Sequence, residues 1–582
     1  MTFNLSIDRH VALAGNVDLL FQMSLSTDQP QWLKHLHPLE SPFVAVRSYR
    51  DLCQLRDALG GDALSVSVPF PRPPSAGLFS SSNHSNALVP IDAVLAFLRA
   101  LLASPKYANA KPLVDFFVDG ADVPIYETAS LCPRCVLHDR RGIKLESAAV
   151  VRRQTDVFLT LACAHGHRTR TRICADYLFF ARQMAFAVPN APQPRIGDIE
   201  TLGTRLSERP TAIDAPFIVQ IPLFEGGAFR SDDAIRSDVE LSKTFYPANR
   251  KFVVKALAGA AKDMDELNRK ALFLVSVLPD RPLLLELTYE RLVVLCERDD
   301  SCFVKAGIDP AVKYFIEAGN EAQCEAELVR LCDTVSQFEG ISVTITLVAE
   351  LPIESLRLDA ALKLLRSRPS LVRVVTLQLA RSPRSLLAAT AGSEVEQLLD
   401  APDPAKLLEL LERACGGELR ATDFLPASVG VCLEPILSVM GHGFFYLRAS
   451  PFCAAATCLV NTAQHQSVPL TRVFDVEKFW AEMVPLLPNL QDGKVGLFNA
   501  KRLQKALGAC LLPDVAGIDD VWPYLTSASH AAATRHFIDN LQFLVVHNHM
   551  DIAAADVVRR CQCAAVAVDA QRGFVASCTG CL

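Results

Sequence analysis

The central part of the chain switches repeatedly between strand-like and helix-like spacing of its apolar residues. Residues 340–351 (GISVTITLVAEL) form a β-branched run typical of a strand, and residues 370–380 (SLVRVVTLQLA) form a second one. Between them, residues 353–368 (IESLRLDAALKLLRSR) repeat their apolar positions at the helical period. A strand, a helix of about four turns and another strand predict a parallel βαβ crossover.

Similar patterns on either side extend this prediction. Residues 215–224 (APFIVQIPLF) and 281–295 (RPLLLELTYERLVVL) are rich in strand-forming apolar residues, so we expect further strands there. We therefore predict a parallel sheet or partial barrel across residues 205–385. Residues 403–417 (DPAKLLELLERACGG) predict a helix that ends at a double glycine.

The remaining patterns divide the chain into four predicted domains. Residues 90–104 predict a helix in an N-terminal segment of mixed strands and helices, which a low-complexity loop (69–86) interrupts. The proline-rich residues 188–198 predict a linker. The predicted domains are an N-terminal α+β domain of unassigned role (1–125), a metal hairpin (126–187), the parallel sheet (205–400) and a C-terminal domain with a cysteine-rich hairpin (401–582).

The composition is that of a folded protein with several domains. The 582 residues exceed what one hydrophobic core supports, and 50% of them are hydrophobic and 21% charged. A net charge of −6 argues against a large nucleic-acid-binding face. No apolar run reaches the roughly 18 residues that a membrane span needs, and the N-terminal MTFNLSIDRH lacks the features of a signal peptide. We therefore expect a cytoplasmic protein without a membrane span.

The chain contains 18 cysteines, well above ordinary usage. Without a secretion signal, disulfides are the weaker explanation for them. Cysteines placed singly on apolar stretches, such as Cys53, Cys324 and Cys332, are typical of small buried hydrophobic side chains. Cysteines that cluster with each other or with histidines indicate metal sites.

The first such cluster lies in LCPRCVLHDRRGIKLESAAVVRRQTDVFLTLACAHGH, residues 131–167. A Cys-x-x-Cys turn (Cys132 and Cys135) directs two thiolates to one centre, and Cys163 with His167 completes a tetrahedron from the far end of a predicted hairpin. This set suits Zn²⁺ or a single rubredoxin-like iron, and its filled ligand positions favour a structural site. The alternative is a reduced Cys-x-x-Cys turn with solvent-facing histidines. His165 lies closer to Cys163 in sequence than is usual for a ligand pair, and Cys174 is a reserve ligand.

The second cluster lies in the last residues, RRCQCAAVAVDAQRGFVASCTGCL. Cys561 and Cys563 start a strand-like segment, DAQRG predicts a turn, and Cys578 and Cys581 end the return strand. Because neighbouring strands lie about 4.8 Å apart, pairing around this turn brings the two cysteine pairs opposite each other. Four thiolates there suit Zn²⁺ or an iron–sulfur cluster. The alternative is a frayed tail with free thiols.

Taken in order, these stretches resemble the radical SAM proteins related to tetraether lipid synthase. That family carries a CP-x-C … C-x-x-HG rubredoxin-like hairpin ahead of a radical SAM barrel, and the first cluster is similar, with one residue fewer before the His-Gly. Further similar stretches follow in colinear order, namely CGGELRATDFLP (415–426), CAAATCLV (453–460), VPLTRVFDVEKF (468–479) and HMDIAAADVVRRCQC (549–563). The resemblance implies an α/β fold: a degenerate radical-SAM-like partial (β/α) barrel with an N-terminal α+β domain, a rubredoxin-like metal hairpin and a C-terminal α+β extension.

The motif that supplies the chemistry of this family is missing from the chain. Radical SAM enzymes need Cys-x-x-x-Cys-x-x-Cys after the first barrel strand, where three thiolates hold an iron–sulfur cluster and leave one iron open for SAM. This chain has APFIVQIPLFEGGAFRSDDAIR at that place, with no cysteine between Cys174 and Cys296. The Gly-Gly-Glu-Pro stretch of the family is also unmatched. We therefore do not expect SAM to bind.

Three functional interpretations follow from the resemblance. The favoured one is a pseudoenzyme, a metal-stapled scaffold that binds a ligand or a protein partner, with an active radical SAM relative as the candidate partner. The second is an enzyme of the radical SAM type in which a C-terminal iron–sulfur cluster acts on a lipid-like or other apolar substrate. The third is a metal-stapled α/β protein whose function the resemblance does not reveal. No catalytic residue is assigned, and no nucleic-acid partner is expected.

Overall fold

The computed structural model describes most of the chain. The described residues are 3–12, 19–27, 43–60, 68–71, 90–104, 106–108, 110–117, 122–138, 145–187, 217–244, 250–258, 261–278, 283–297, 308–316, 321–338, 341–350, 358–381, 383–391, 396–434, 444–445, 449–461, 467–487, 497–512, 541–569 and 573–576. The chain divides into two compact units, and the predicted linker 188–198 lies outside the described residues. Unit 1 comprises Met1–Tyr126, Ala149–Leu159 and Arg172–Ala185, and unit 2 comprises Glu127–Ala148, Thr160–Thr171 and Phe186–Leu582.

The first unit is built on a small antiparallel sheet with helices packed on it. The sheet order is β1-β2-β3, and an apolar cluster that includes Phe21, Phe97 and Phe117 joins the sheet to the helices. The predicted helix at 90–104 is confirmed as α2. The elements are β1 (Phe3–Ala12), β2 (Leu19–Thr27), β3 (Phe43–Ser48), α1 (Tyr49–Ala58), α2 (Ile91–Ala103) and α3 (Lys111–Phe117).

The segment predicted as a metal hairpin forms strands and two short helices. Its β5 and β6 are joined by a two-residue turn in which Gln154 has φ of 55°. The elements are β4 (Val123–Leu131), α4 (Pro133–His138), β5 (Leu145–Arg153), β6 (Asp156–Ala162), β7 (Arg168–Cys174) and α5 (Tyr177–Met184).

Strands and helices alternate through the central part of the second unit, as the βαβ pattern predicts. Its strands are β8 (Ile218–Pro222), β9 (Phe224–Glu225), β10 (Ala228–Phe229), β11 (Arg250–Lys251), β12 (Val253–Leu257), β13 (Leu283–Thr288), β14 (Ile308–Ile316), β15 (Val343–Glu350), β16 (Val372–Ala380) and β17 (Glu396–Asp400). Its helices are α6 (Asp232–Thr244), α7 (Met264–Val277), α8 (Tyr289–Glu297), α9 (Glu321–Val335), α10 (Leu358–Ser367), α11 (Pro383–Thr390) and α12 (Pro404–Ala414).

The last part of the chain mixes short strands and helices. Its strands are β18 (Leu425–Pro426), β19 (Phe444–Phe445), β20 (Ala454–Asn461), β21 (Ser467–Pro469), β22 (Leu541–His547), β23 (Ala565–Asp569) and β24 (Gly573–Ala576). Its α-helices are α13 (Val476–Met483), α14 (Leu497–Cys510) and α15 (Val557–Cys561).

A large sheet of mostly parallel strands forms the centre of the second unit. Twelve of the described strands take part in it, in the order β18-β20-β22-β16-β15-β14-β13-β12-β8-β23-β24 with β21 paired to β20. The strands from β22 to β23 in this order all pair in parallel. At one end β24 pairs antiparallel with β23, and at the other end β20 pairs antiparallel with β22 and with β18. Within the described residues the sheet does not close into a barrel. A separate five-stranded sheet has the order β17-β7-β6-β5-β4.

The structure confirms the central crossover and changes the bounds of two neighbouring expectations. Strands β15 and β16 pair in parallel with α10 between them, as residues 340–380 predict. The stretch 281–295 is strand only as far as Thr288 and becomes helix α8 at Tyr289, because an apolar run does not by itself distinguish a strand from a buried helix. The parallel sheet also extends beyond residues 205–385, since β22 pairs with β16 and β23 pairs with β8.

No helix among the described residues is both long enough and apolar enough to cross a membrane.

Candidate metal centre

Two of the predicted ligands come from the segment that follows strand β4. Cys132 comes directly after the last residue of β4, and Pro133 begins helix α4, whose first turn carries Cys135. Proline suits this first helical position because an N–H there would have no helical acceptor. The Val136 amide donates to the Cys132 carbonyl over 3.0 Å, so the chain turns back and presents both thiols to one centre.

The other two ligands come from the tight turn between β6 and β7. The Cys163 amide donates to the His167 carbonyl, and the Gly166 amide donates to the Cys163 carbonyl, both over 2.9 Å. Gly166 has φ of 81°, a left-handed conformation that glycine adopts without strain. These backbone bonds bring the side chains of Cys163 and His167 together at one end of the hairpin.

The four side chains form a compact metal group whose dimensions match a tetrahedral site. The ligand atoms of Cys132, Cys135, Cys163 and His167 all lie within 4.8 Å of one another. Sγ of Cys135 lies 3.9 Å from Sγ of Cys163 and 3.5 Å from Nδ1 of His167, and Sγ of Cys132 lies 3.7 Å from the same nitrogen. Ligands bound to Zn²⁺ at about 2.0–2.3 Å lie about 3.5–3.8 Å apart at tetrahedral angles. The group can therefore hold a metal ion.

Burial favours the protonated form of two thiols in the metal group. Burial, followed by the neighbouring thiols, raises the pKa of Cys135 to about 12, and burial also raises the pKa of Cys132. Burial, followed by the charges of Arg134 and His165, lowers the pKa of His167 and keeps its imidazole neutral at neutral pH. A neutral imidazole is the form that binds metals. A divalent cation would displace the thiol protons and offset the repulsion among three crowded thiolates.

A fifth donor lies beside the metal group. Nδ1 of His165 is 3.4 Å from Sγ of Cys135, and the His165 side chain is exposed to solvent. The predicted reserve ligand, Cys174, ends strand β7, where its thiol donates to the carbonyl of Asp176 over 3.3 Å. His165, whose sequence spacing is closer than usual for a ligand, is therefore the side chain placed next to the metal group.

Helix α4, which carries Cys135 of the metal group, packs onto two segments that follow neighbouring strands of the parallel sheet. Leu137 of α4 lies in one apolar cluster with Leu386 of α11 and with Ile552. Nε2 of His138 lies 3.1 Å from Oγ1 of Thr390, also in α11. Helix α11 follows β16, and Ile552 follows β22, so the metal group is attached beside the carboxyl ends of two adjacent parallel strands. Sequence reasoning missed this attachment, because His138 and Thr390 are 252 positions apart and no local pattern links them.

The two described cysteines of the predicted C-terminal cluster lie in different local settings. Cys561 is the last residue of helix α15 and packs in an apolar cluster with Ala129 and Val557. Burial raises its pKa to about 11. The thiol of Cys563 donates to the carbonyl of Ala565 over 2.8 Å. The strand begins at Ala565, so neither cysteine lies on the strand that the sequence pattern predicts.

The predicted return strand is present as the hairpin of β23 and β24. Val566 lies opposite Ala576 and Asp569 lies opposite Gly573, and residues 570–572 of the predicted turn lie outside the described residues. Cys578 and Cys581 lie outside the described residues. A centre shared by the four C-terminal thiols therefore stays a prediction.

Comparisons with known proteins assign no family to the chain. No protein-family model and no curated protein matches it. Distant similarity to solved structures is found for L-talarate dehydratase from Polaromonas sp. JS666 (11% identity, 48% of this chain and 87% of that chain, TM-score 0.21) and for muconate lactonizing enzyme from Pseudomonas putida (10% identity, 51% and 78%, TM-score 0.21). Similarities this distant assign neither an activity nor a ligand to the chain.

Proposed function

We propose that the protein is a radical-SAM-like pseudoenzyme, a scaffold in which a structural metal ion braces a sheet edge that binds a ligand or a protein partner. The observation that carries the proposal is the metal group: four protein atoms at tetrahedral spacing fill every ligand position. A metal held in this way stabilises the fold and has no open position for a substrate.

The ligand set supports Zn²⁺ as the bound ion, with mononuclear iron as the alternative. Three thiolates and one imidazole are a common set for structural zinc, and a rubredoxin-like iron uses the same tetrahedral arrangement. Cys132 and Cys163 are buried, and Cys135 and His167 are half-buried. Three sulfur atoms and one nitrogen therefore surround a partly shielded centre. Elemental analysis distinguishes the two ions.

The contacts of the loop after strand β8 support the proposal that the scaffold has no SAM-cleaving cluster. In the family that the sequence resembles, the cluster cysteines follow the first barrel strand. Here β9 and β10 form a small turn at that place, closed by Gly226 and Gly227 with φ of 61° and 88°. Arg230 donates to the Pro222 carbonyl over 3.3 Å and forms an ion pair with the buried Asp238. The loop is therefore stabilised by its own contacts and carries no thiol.

The packing of α4 supports a bracing role for the metal. A binding surface at the carboxyl ends of parallel strands depends on the positions of the segments that follow those strands. The metal group holds α4 against two of these segments, α11 and the turn at Ile552–Ala554. By fixing the positions of these segments, the metal would support the binding of a ligand or partner without itself taking part in any reaction. An active radical SAM relative is the proposed protein partner.

Reductive cleavage of SAM tests the proposal directly. Protein purified without oxygen and supplied with SAM and dithionite is expected to form no 5′-deoxyadenosine above a protein-free blank, because no cysteine triad holds an open iron. An active radical SAM enzyme assayed in parallel serves as the positive control. Protein-dependent formation of 5′-deoxyadenosine would refute the pseudoenzyme.

A further inference from the structure

One face of the parallel sheet carries a row of polar side chains across four adjacent strands. Buried and half-buried residues alternate along β13 and much of β14–β16, and the half-buried ones share one face. The strand register places Thr288 beside Lys313, Lys313 beside Thr346, and Thr346 beside Thr376. These four residues, the Lys313 row, therefore put one ammonium group among three hydroxyl groups.

The Lys313 row has unused hydrogen-bonding capacity. No carboxylate of the described residues lies within ion-pair distance of Lys313, whose Nζ lies 5.5 Å from the centre of the Phe315 ring. On the same face, by contrast, Lys255 forms an ion pair with Glu286. In the part of the chain that the structure describes, the three threonine hydroxyls of the row form no hydrogen bond to another protein group. Among the described residues, Lys313 thus has no protein counter-ion.

Further donors continue from the Lys313 row towards the carboxyl ends of the strands. Gln378 lies two residues beyond Thr376 on the same face of β16, directly opposite His547 on β22. Arg381 follows β16, and its side chain is only 7% exposed. Nε of Arg381 lies 3.3 Å from Oδ2 of Asp551, whereas its Nη2 is buried without a hydrogen-bond partner. A buried N–H group without an acceptor is costly, so this edge has capacity for an additional anionic oxygen.

We propose that the Lys313 row binds the phosphate group of a small ligand. The compact ammonium group of lysine binds phosphate as a point charge, and hydroxyl groups on either side donate to the remaining oxygens. Strands lie about 4.8 Å apart, so a phosphate above Lys313 would also contact Thr288 and Thr346. The ligand would extend from there past Gln378 towards Arg381. This assignment rests on the proposed function, in which the sheet is a ligand-binding scaffold.

Calorimetric titration of the full-length, metal-loaded protein tests this assignment. The probes are inorganic phosphate and pyrophosphate at constant ionic strength, with succinate as the carboxylate probe. Lys313→Gln is expected to weaken phosphate or pyrophosphate binding by at least about tenfold, because a charged hydrogen-bond donor is lost. Thr346→Val is expected to weaken it by a smaller factor. Lys363→Gln is the matched control, since Lys363 is an exposed lysine on α10 that pairs with Glu325, and this variant should bind as the unmodified protein does.

Several outcomes would overturn the phosphate site. They are no detectable binding of phosphate or pyrophosphate, equal binding by the unmodified protein and Lys313→Gln, or tighter binding of succinate than of pyrophosphate. Circular dichroism tests whether each variant is folded. If Lys313→Gln does not fold, the binding of phosphate and pyrophosphate by Thr346→Val is compared with that of the unmodified protein. The proposed function has separate readouts, because 5′-deoxyadenosine formation or a missing metal would refute it whatever the anion titrations show.

Discussion

The hydroxyl of Thr128 in β4 donates a hydrogen bond of 2.7 Å to Oδ1 of Asp556, although the two residues are 428 positions apart in the chain. Asp556 is the N-cap of helix α15, where its carboxylate also accepts from the amide of Val558. Both side chains are buried. The hydrogen bond therefore connects strand β4, which leads into the metal group, to helix α15. Loss of its partners would leave a buried, capping carboxylate without hydrogen bonds, which destabilises the fold.

Thr128→Val is expected to destabilise the protein by about 1–3 kcal/mol, because it keeps the side-chain shape but removes a hydrogen bond to a buried carboxylate. Urea denaturation followed by circular dichroism measures the change. Thr334→Val serves as the control, since the Thr334 hydroxyl only donates to the Arg330 carbonyl on a solvent-facing part of α9. A Thr128→Val midpoint no lower than that of the control would contradict the role of this bond.

Replacement of Cys132 and Cys135 by serine is expected to release one metal ion per chain, because serine hydroxyls do not replace thiolate ligands of Zn²⁺ or iron. Elemental analysis of purified protein measures the loss. The matched control is the double variant Cys53→Ser with Cys415→Ser, which changes two half-buried thiols outside the metal group. Unchanged metal content in the Cys132 and Cys135 variant would mean that the group binds no ion.

Removal of the metal with a chelator is expected to loosen the segments on which α4 packs. Hydrogen–deuterium exchange should become faster in α11 and in Ile552–Ala554, because Leu137 and His138 would no longer be held against them. Helix α7 serves as an internal reference, because none of its residues belongs to the metal group or to the apolar cluster around Leu137. Equal exchange in the loaded and metal-free protein would contradict the bracing role.

The C-terminal cysteines predict a second metal ion. Cys578→Ser with Cys581→Ser is expected to remove one ion and to leave the ion of the metal group in place. If a visible absorption band of the unmodified protein disappears in the double variant, the ion belongs to an iron–sulfur cluster. If the ion is lost without any change in the visible spectrum, it is zinc. A protein that binds a single ion, retained in this variant, would show that the C-terminal thiols form no shared centre.

The spacing of apolar residues predicted those helices and strands that bury one face. Helix α2 and the crossover from β15 through α10 to β16 lie where the periodicity predicts them. The stretch 281–295 contains the expected strand, β13, but the strand ends at Thr288 and helix α8 follows it without a turn residue. Period and composition alone do not separate a buried strand from a short buried helix.

The candidate metal centre was predictable because its ligands are close in sequence and chemically distinctive. Cys-x-x-Cys and a tight turn each place two ligands by local geometry, and a predicted hairpin connects them. The Lys313 row was not predictable, because it depends on the register of four strands that lie far apart in the chain. Register follows from tertiary pairing, which local spacing does not encode.

The amino-acid sequence by itself identified the candidate metal ligands, the alternation of strands and helices, and the absence of a radical SAM cysteine triad, since each depends on residue type and short-range spacing. Only the tertiary structure decided that β22 and β23 complete the parallel sheet and that α4 rests against α11 and Ile552. The physical reason is that strand pairing and side-chain packing join residues hundreds of positions apart. Their free energy depends on the whole folded unit rather than on any one segment.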